Sequence, residues 1–141
     1  MLALNLLISA FVMYLVMFSM IDTRAEFFNN LNMFYMALTM VAPMAILMLW
    51  MMRSMYPNKR LNVALYVLFA VLFIGAFAAT RFQTLVGDKQ FLRSMIPHHS
   101  GAILMCREAE ISDPEIASLC ANIIKSQREE IEQMKKLLTR F

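Results

Sequence analysis

The stretch FLRSMIPHHSGAILMC, residues 91–106, holds both histidines of the chain. Its side chains with metal-donor atoms are Met95, His98, His99, Met105 and Cys106. On a helix, Met95 and His99 lie on one face one turn apart, while His98 and Met105 belong to the adjacent row. Imidazole, thioether and thiol groups are the donors that a soft or borderline metal such as copper prefers. The stretch therefore predicts a helix with a metal-binding face.

Helix-capping residues flank this stretch and predict a helical hairpin. Asp88 can cap a first helix that ends near Glu110. A second helix can begin at Ser112 or Asp113 and continue to about Thr139. Apolar residues recur on both helices at near-heptad spacing, which is typical of two helices that pack together.

The heptad spacing predicts which residues face inward. The predicted inward residues of the first helix are Phe91, Met95, His98 or His99, Ala102, Met105 and Ala109. Those of the second helix are Ile116, Cys120, Ile123, Gln127, Glu130 or Ile131, Met134 and Leu138. Counting outward from the turn pairs, to within about one turn, Met105 or Cys106 with Cys120, His98 with Gln127, Met95 with the region of Glu130, and Phe91 with Met134. A buried carboxylate is costly unless it is paired or binds a metal, so Glu130 indicates a site at this level, although it can instead be half-exposed and bond a histidine.

The predicted site combines donors from both helices, with copper as the expected metal. The predicted metal ligands are Met95, His98, His99, Met105, Glu130 and Met134. Gln127, Cys106 and Cys120 either support these ligands through hydrogen bonds or are further ligands. Adjacent histidines on a helix diverge by about 100°, so we expect one ligand and one hydrogen-bonded histidine, with two ligands or two structural histidines as alternatives. The two cysteines form a disulfide, remain free thiols or bind a soft metal.

A two-helix hairpin cannot enclose much apolar core by itself. Two copies would form a four-helix bundle with their histidines and methionines facing inward. We therefore expect a homodimer or a higher even oligomer.

The remainder of the chain has the composition of a membrane protein. Apolar residues make up 60 % of it and charged residues 16 %, against roughly 45–50 % and about 25 % in soluble domains. Residues 1–21, 27–52 and 61–80 carry no charge, and each run is close to or above the length of about 20 residues that a membrane-spanning helix needs. The first run lacks the basic start and cleavage site of a signal peptide, so we expect an uncleaved span. The predicted all-α chain has a membrane anchor at 1–81 and a helical hairpin at 82–141.

The loop charges predict the orientation of the spans. Residues 53–60 contain three cations and no acid, while residues 22–26 contain one cation and two acids. By the positive-inside rule the N-terminus is cytoplasmic and the hairpin is exported, which in a bacterium means the inner membrane with a periplasmic hairpin. The hairpin has equal numbers of basic and acidic residues. We therefore expect membrane lipid and a second copy as partners, and no nucleic acid.

The second span carries a methionine stripe at helical spacing. Its members are Met33, Met36, Met40, Met44, Met48, Met51 and Met55. Such stripes usually serve helix packing, but thioethers also bind Cu(I), so Met36, Met40, Met44 and Met48 are a possible copper conduit. The pair Met40-x-x-x-Met44, with Gly75-x-x-x-Ala79 in the third span, resembles motifs of the eukaryotic high-affinity copper transporters.

The hairpin resembles the domain-of-unknown-function family numbered 305. The resemblance covers about residues 88–138 and rests on two motifs. They are Asp88-x-x-Phe91-Leu-x-x-Met95-Ile-x-His98-His99-x-x-Ala102 and Ile123-x-x-x-Gln127-x-x-Glu130-Ile131-x-x-Met134. It implies a ferritin-like, often exported fold and a link to copper binding and copper tolerance. By the resemblance, the conserved-type positions are Met95, His98, His99, Gln127, Glu130 and Met134. Members commonly contain two such helical pairs and this chain has one, which agrees with dimerisation.

The sequence contains no recognisable set of catalytic residues. Glu-x-x-His pairs, which di-iron oxidases need, are absent, and no cysteine or serine belongs to a recognisable His–carboxylate arrangement. We therefore expect a non-enzyme that sequesters copper or hands it on at the periplasmic side of the membrane. The alternatives are a copper-conducting membrane protein that uses the methionine stripe, and a structural or partner-binding membrane protein without metal.

Overall fold

The computed structural model describes residues 2–141, and this range is helical without any strand. In chain order the α-helices are α1 (Leu2–Val16), α2 (Leu31–Met51), α3 (Lys59–Phe82), α4 (Asp88–Glu108) and α5 (Pro114–Leu138). Two short 3-10 turns, Met17–Met20 and Arg24–Glu26, lie between α1 and α2. The all-α prediction is confirmed.

Three helices are long and apolar enough to cross a membrane. They are α1 with the turn that extends it to Met20, then α2 and α3. Three candidate spans were expected at these places, and their length and composition confirm that expectation. The second span is shorter than predicted, because residues 27–30 belong to the preceding loop.

The chain forms two compact units. The span unit consists of Met1–Met17 and Asn32–Leu85, and the hairpin unit of Phe18–Leu31 and Val86–Phe141. The sequence suggested a single division at 81/82, whereas the structure groups 18–31, here called the inter-span loop, with the hairpin. Two candidate spans separate this loop from the hairpin in the chain, and a chain that crosses a membrane twice between two segments has both segments on the same side. The grouping is therefore compatible with three spans.

The core of the span unit is built from small and branched side chains. Leu6 of α1 packs with Val41 and Ala45 of α2, and Met13 and Phe69 border this cluster. The buried face of α2 is rich in alanine, and small residues allow close approach of membrane helices.

Helix α5 begins with a side-chain cap. The Asp113 carboxylate accepts hydrogen bonds from the backbone N–H groups of Glu115 at 2.8 Å and Ile116 at 3.0 Å. Asp113 is thus the cap, as one of the two predicted alternatives had it. At α4 the prediction was off by one residue, because Gly87 is the N-cap and Asp88 is the first helical residue. There its negative charge still favours the helix N-terminus.

A disulfide closes the hairpin at its turn. Cys106 of α4 and Cys120 of α5 are bonded, with their Cα atoms 5.2 Å apart. Of the three alternatives for the cysteines, the structure has the disulfide, and the counted pairing of these two residues is confirmed. In the chain-entropy description, a loop of this length stabilises the folded state by about 3 kcal/mol.

The hairpin core lies on a different face of α4 than predicted. Its buried residues are Leu92, Ile96, Ile103, Ile131 and Met134. The predicted inward residues Phe91 and Met105 of α4, Ala109 after it and Ile116 of α5 are exposed, whereas His99, one of the two alternatives predicted at 98 and 99, is buried. On α5 the prediction of Ile131 and Met134 was correct. The error on α4 arises because this helix has a second neighbour besides α5.

That neighbour is the inter-span loop, which holds α4 through a buried polar network. The Ser100 hydroxyl donates to the carboxylate of the buried Glu26 at 2.5 Å and accepts from the Asp22 N–H at 2.6 Å. The Thr23 N–H also donates to Glu26, at 3.1 Å. Nearby, Arg107 forms an ion pair with Asp22 at 2.6 Å. Since a buried carboxylate is unfavourable without donors, these contacts bind the loop to one side of α4.

The loop follows α4 over most of its length. At one end the Leu31 N–H donates to the Gln90 side chain at 3.2 Å. In the middle, a Cβ added to Gly101 would lie 3.3 Å from the Met20 carbonyl oxygen, so the absence of a side chain permits the close approach. Helix α4 is therefore covered on two sides, and its face with Phe91, His98 and Met105 is exposed.

Removing the Ser100 hydroxyl tests the network. We expect Ser100→Ala to lower the free energy of unfolding by about 1–3 kcal/mol, because the buried Glu26 carboxylate loses a donor. Trypsin should also cleave faster after the exposed Arg24 as the loop is released. Thermal unfolding by circular dichroism and timed proteolysis of the full chain in detergent measure both effects.

Ser94→Ala is the matched control. Ser94 is also buried on α4, but its hydroxyl donates to the Gln90 carbonyl within the same helix. Equal effects of the two substitutions on stability and cleavage would contradict a specific role for the Ser100–Glu26 contact.

Candidate functional site

The two helices of the hairpin bring His99 and Glu130 together. His99 Nδ1 lies 3.0 Å from Glu130 Oε2, with the imidazole buried and the carboxylate half exposed. Nδ1 is buried, and its approach to the carboxylate is not aligned as a hydrogen bond. The sequence pairing had placed Glu130 opposite Met95, one turn away. The structure therefore has a carboxylate oxygen beside a buried, unsatisfied imidazole nitrogen.

The protein lowers the pKa of His99. Burial is the main cause, since it disfavours the charged imidazolium. Glu130 acts in the opposite direction, and His98 adds a smaller lowering effect. The neutral ring keeps a lone pair free at neutral pH, which is the form of histidine that binds metals.

A thioether lies one turn from each member of this pair. Met95 precedes His99 by four residues on α4, and Met134 follows Glu130 by four residues on α5. Because the helices are antiparallel, both offsets point toward the same end of the hairpin. Met134 is buried in the hairpin core, and the half-buried Met95 packs against the same cluster. These four residues provide a nitrogen, a carboxylate and two soft sulfur atoms.

The other predicted ligands are not in this group. His98 is exposed, and its ring centroid lies 5.9 Å from that of His99 at a 60° angle between the ring planes. The two histidines thus diverge, as helical geometry predicts. Met105 is also exposed, and Gln127 is half-buried one turn before Glu130. The sequence could not tell which of the two histidines faces α5, and the structure selects His99.

Among residues 2–141, no cluster of three or more His, Cys, Asp or Glu side chains has the geometry to hold a metal ion. Cys106 and Cys120 are joined to each other, so in this state their thiolates are not available as ligands. A metal at His99 and Glu130 would accordingly need thioethers, or donors from another chain, to complete its coordination.

The four methionines of the possible conduit in α2 differ in exposure. Met36 and Met40 are exposed on the surface of the span unit, whereas Met44 and Met48 are half-buried. Met44 borders the core of this unit, and the Met48 sulfur accepts a long hydrogen bond from Asn5 at 3.6 Å. These four methionines do not line one internal path within a single chain.

The sequence analysis missed the polar network of the inter-span loop. Glu26 and Ser100 belong to it, and so does the ion pair between Asp22 and Arg107. One signal was present: Thr23-x-x-Glu26 has capping-box spacing, which indicates a structured turn where a plain loop was assumed. The long-range partner, Ser100, had no such signal because it is 74 residues away.

The fold and site define an all-helical protein with three candidate membrane spans and a disulfide-closed helical hairpin that carries a His–Glu pair. The family profile described as "Domain of unknown function (DUF305)" matches residues 78–138. The chain belongs to this family through its C-terminal part. The resemblance drawn from the histidine and methionine motifs is thereby confirmed.

A relative extends the similarity beyond the hairpin. An uncharacterized protein of Acanthamoeba polyphaga mimivirus is 35 % identical over 111 residues, which cover 77 % of this chain and 71 % of that protein. No solved structure matches the chain. The similarity therefore indicates the family without indicating an activity.

The lowered pKa of His99 predicts a pH dependence of stability. The unfolded chain binds a proton near the ordinary pKa of 6.5, whereas the folded chain resists protonation. The free energy of unfolding is then highest above pH 6.5 and falls as the pH drops from there toward the lower pKa of the folded state. Melting temperatures of the full chain between pH 8 and 5 measure this trend.

His99→Gln should flatten this part of the profile. His98→Gln, at the exposed neighbouring position, serves as the control and should leave the slope close to that of the wild type. A slope that is unchanged in His99→Gln would assign the acid sensitivity to other groups.

Proposed function

We propose that this chain is a membrane-anchored copper-binding protein that sequesters the ion or hands it on. The observation that carries the proposal is the 3.0 Å approach of His99 Nδ1 and Glu130 Oε2. Two donor atoms that each lie about 2.0–2.2 Å from one metal ion are separated by roughly 3 Å. The buried nitrogen lacks an aligned hydrogen-bond partner, and a metal ion would satisfy it.

Copper is favoured by the remaining donors. In the proposed site Met95 and Met134 supply thioethers beside His99 and Glu130, and this mixture of soft and borderline donors suits Cu(I). A neutral histidine, two thioethers and one carboxylate around Cu(I) give no net charge. Such a site is less costly to enclose beside an apolar core than one with excess charge.

We place the hairpin on the outer side of the cytoplasmic membrane, which is the periplasm in a bacterium. The positive charge of residues 53–60 supports this orientation. The disulfide between Cys106 and Cys120 also supports it, since such bonds persist in oxidising compartments. The spans then keep the hairpin next to the lipid bilayer.

The proposal is one of binding, not catalysis, and it includes two hairpins that associate as a ferritin-like four-helix bundle. A conducting role for Met36, Met40, Met44 and Met48 has less support, because these side chains are divided between the outside and the interior of the span unit. Transfer of copper to or from another protein would use the partly exposed side of the site, where Glu130 meets solvent.

Titration with Cu(I) tests the function. The full chain in detergent, titrated anaerobically against a competing chelator, should bind one Cu(I) per chain at this site. Glu130→Gln and His99→Ala should each weaken binding by about tenfold or more, because each removes a donor or the group that supports it. Met95→Leu and Met134→Leu should weaken Cu(I) binding more than Zn(II) binding.

Glu129→Gln is the matched control, since Glu129 is the exposed neighbour of Glu130. It should bind Cu(I) as the wild type does. No stoichiometric Cu(I) binding, or equal losses in Glu129→Gln and Glu130→Gln, would refute the proposed site.

A further inference from the structure

The start of α4 and the end of α5 enclose a surface cavity of about 260 Å³, here called the end cavity. The two helices are antiparallel, so these ends lie side by side. The Lys89 ammonium donates to the Phe141 carbonyl oxygen at 2.8 Å and holds that residue against α4. The lining consists of four apolar and two charged residues: Phe91, Leu92, Leu137, Phe141, Asp88 and Arg140. The end cavity thus combines an apolar wall with two opposite charges.

The two charges of the end cavity are not neutralised within the hairpin. Among residues 2–141, neither the Asp88 carboxylate nor the Arg140 guanidinium has an ion-pair or hydrogen-bond partner, and they do not pair with each other. Arginine presents paired N–H donors that match a phosphate group, and a carboxylate accepts hydrogen bonds from an ammonium group. A molecule with one negative and one positive group beside an apolar part would therefore satisfy the whole lining.

The end cavity lies at the boundary of the candidate membrane spans. Leu31 is the first residue of the second span, and its N–H donates to the side chain of Gln90, the residue before Phe91, at 3.2 Å. Phe82 ends the third span, and the six residue steps from there to Asp88 reach at most about 20 Å when extended. Lipid headgroups surround a membrane protein at this level. Phospholipid is therefore the ligand that the end cavity meets at high local concentration.

We propose that the end cavity binds a zwitterionic phospholipid with a primary-amine headgroup, which is the phosphatidylethanolamine class. Arg140 binds the phosphate, Asp88 accepts hydrogen bonds from the ammonium group, and the apolar residues receive the first part of one acyl chain. Pockets that enclose a whole small molecule measure roughly 300–1,000 Å³. The end cavity is smaller, so it holds only this part of the lipid while the chain ends stay in the bilayer.

Asp88 decides between headgroups. The ammonium group of ethanolamine has N–H donors for the carboxylate, whereas the trimethylated nitrogen of choline has none. An anionic headgroup without an amine, such as that of phosphatidylglycerol, brings a net negative charge toward Asp88 without a compensating cation. The lipid site shares no residue with the His99–Glu130 site. The inference rests on the candidate spans and not on copper binding.

Lipid competition on the full chain tests the headgroup preference. The chelator-treated protein in detergent receives equal amounts of dioleoyl phosphatidylethanolamine and dioleoyl phosphatidylcholine, and native mass spectrometry counts the lipid retained. The wild type should retain one phosphatidylethanolamine per chain, preferred about tenfold, because choline forfeits a charge-assisted hydrogen bond to Asp88.

Two substitutions separate the roles of the charged residues. Arg140→Gln should weaken retention of both lipids by about tenfold or more, since both carry the phosphate. Asp88→Asn should leave one lipid bound but remove the preference for the ethanolamine headgroup. Both positions are exposed, so the helical circular dichroism spectrum should be unchanged.

The controls remove similar groups outside the lining. Lys136→Gln removes an exposed cation from the last turn of α5, and Lys136 does not line the end cavity. It should retain lipid as the wild type does. Phe91→Ser should lower retention, whereas Leu119→Ser, at an exposed apolar position elsewhere on α5, should not.

Four results would each overturn the proposal: no lipid retained by the wild type, equal retention of the two lipids, equal losses in Arg140→Gln and Lys136→Gln, or a preference for added dioleoyl phosphatidylglycerol. Cu(I) titration of the same variants separates this site from the proposed function. A chain that selects phosphatidylethanolamine but binds no copper refutes the function alone. A chain that binds copper but shows no lipid preference refutes the lipid site alone.

Discussion

The buried carboxylate of Glu26 accepts hydrogen bonds from the Ser100 hydroxyl and the Thr23 N–H, and the arrangement of the hairpin unit depends on this contact. Without donors, a carboxylate in this position would be strongly unfavourable. With them, the loop between the first two spans becomes a third layer of the hairpin unit. The ion pair between Asp22 and Arg107 reinforces the same attachment. The two helices of the hairpin thus gain a third packing partner, the inter-span loop, which is remote in sequence and contains only short helical turns.

The position of the loop decides which residues of α4 are buried. Because α5 and the loop cover two sides, Ile96, His99 and Ser100 are enclosed and the row through His98 is open. The two histidines, adjacent in sequence, therefore have different surroundings. One has a depressed pKa and a carboxylate at 3.0 Å, and the other is exposed in the middle of an apolar row. Two neighbouring side chains of one helix thus lie on different faces, one enclosed and one exposed.

Three different contacts join α4 and α5 in succession along the hairpin. Cys106 and Cys120 close the hairpin next to its turn, which limits separation of α4 and α5 at that end. The His99–Glu130 contact lies further along the same pair of helices, and the apolar cluster of Ile131 and Met134 follows it. A covalent link, a polar pair and an apolar core thus succeed one another along the hairpin. The disulfide on one side and the apolar cluster on the other keep His99 and Glu130 opposite each other.

The sequence by itself determined the helices, the candidate spans and the family, and it placed Cys106 and Cys120 close together; that they are bonded came from the structure. These depend on local signals: charge-free runs of span length, the cap at Asp113, the donor motif around His98 and His99, and the short count from Cys106 to Cys120. The tertiary structure alone decided which histidine faces inward and which row of α4 remains open. Helical periodicity indicates that a face is apolar, but it cannot say how many neighbours will cover the helix. That number was set by the contact between Ser100 and Glu26, whose partners are far apart in the chain and have no shared pattern in the sequence.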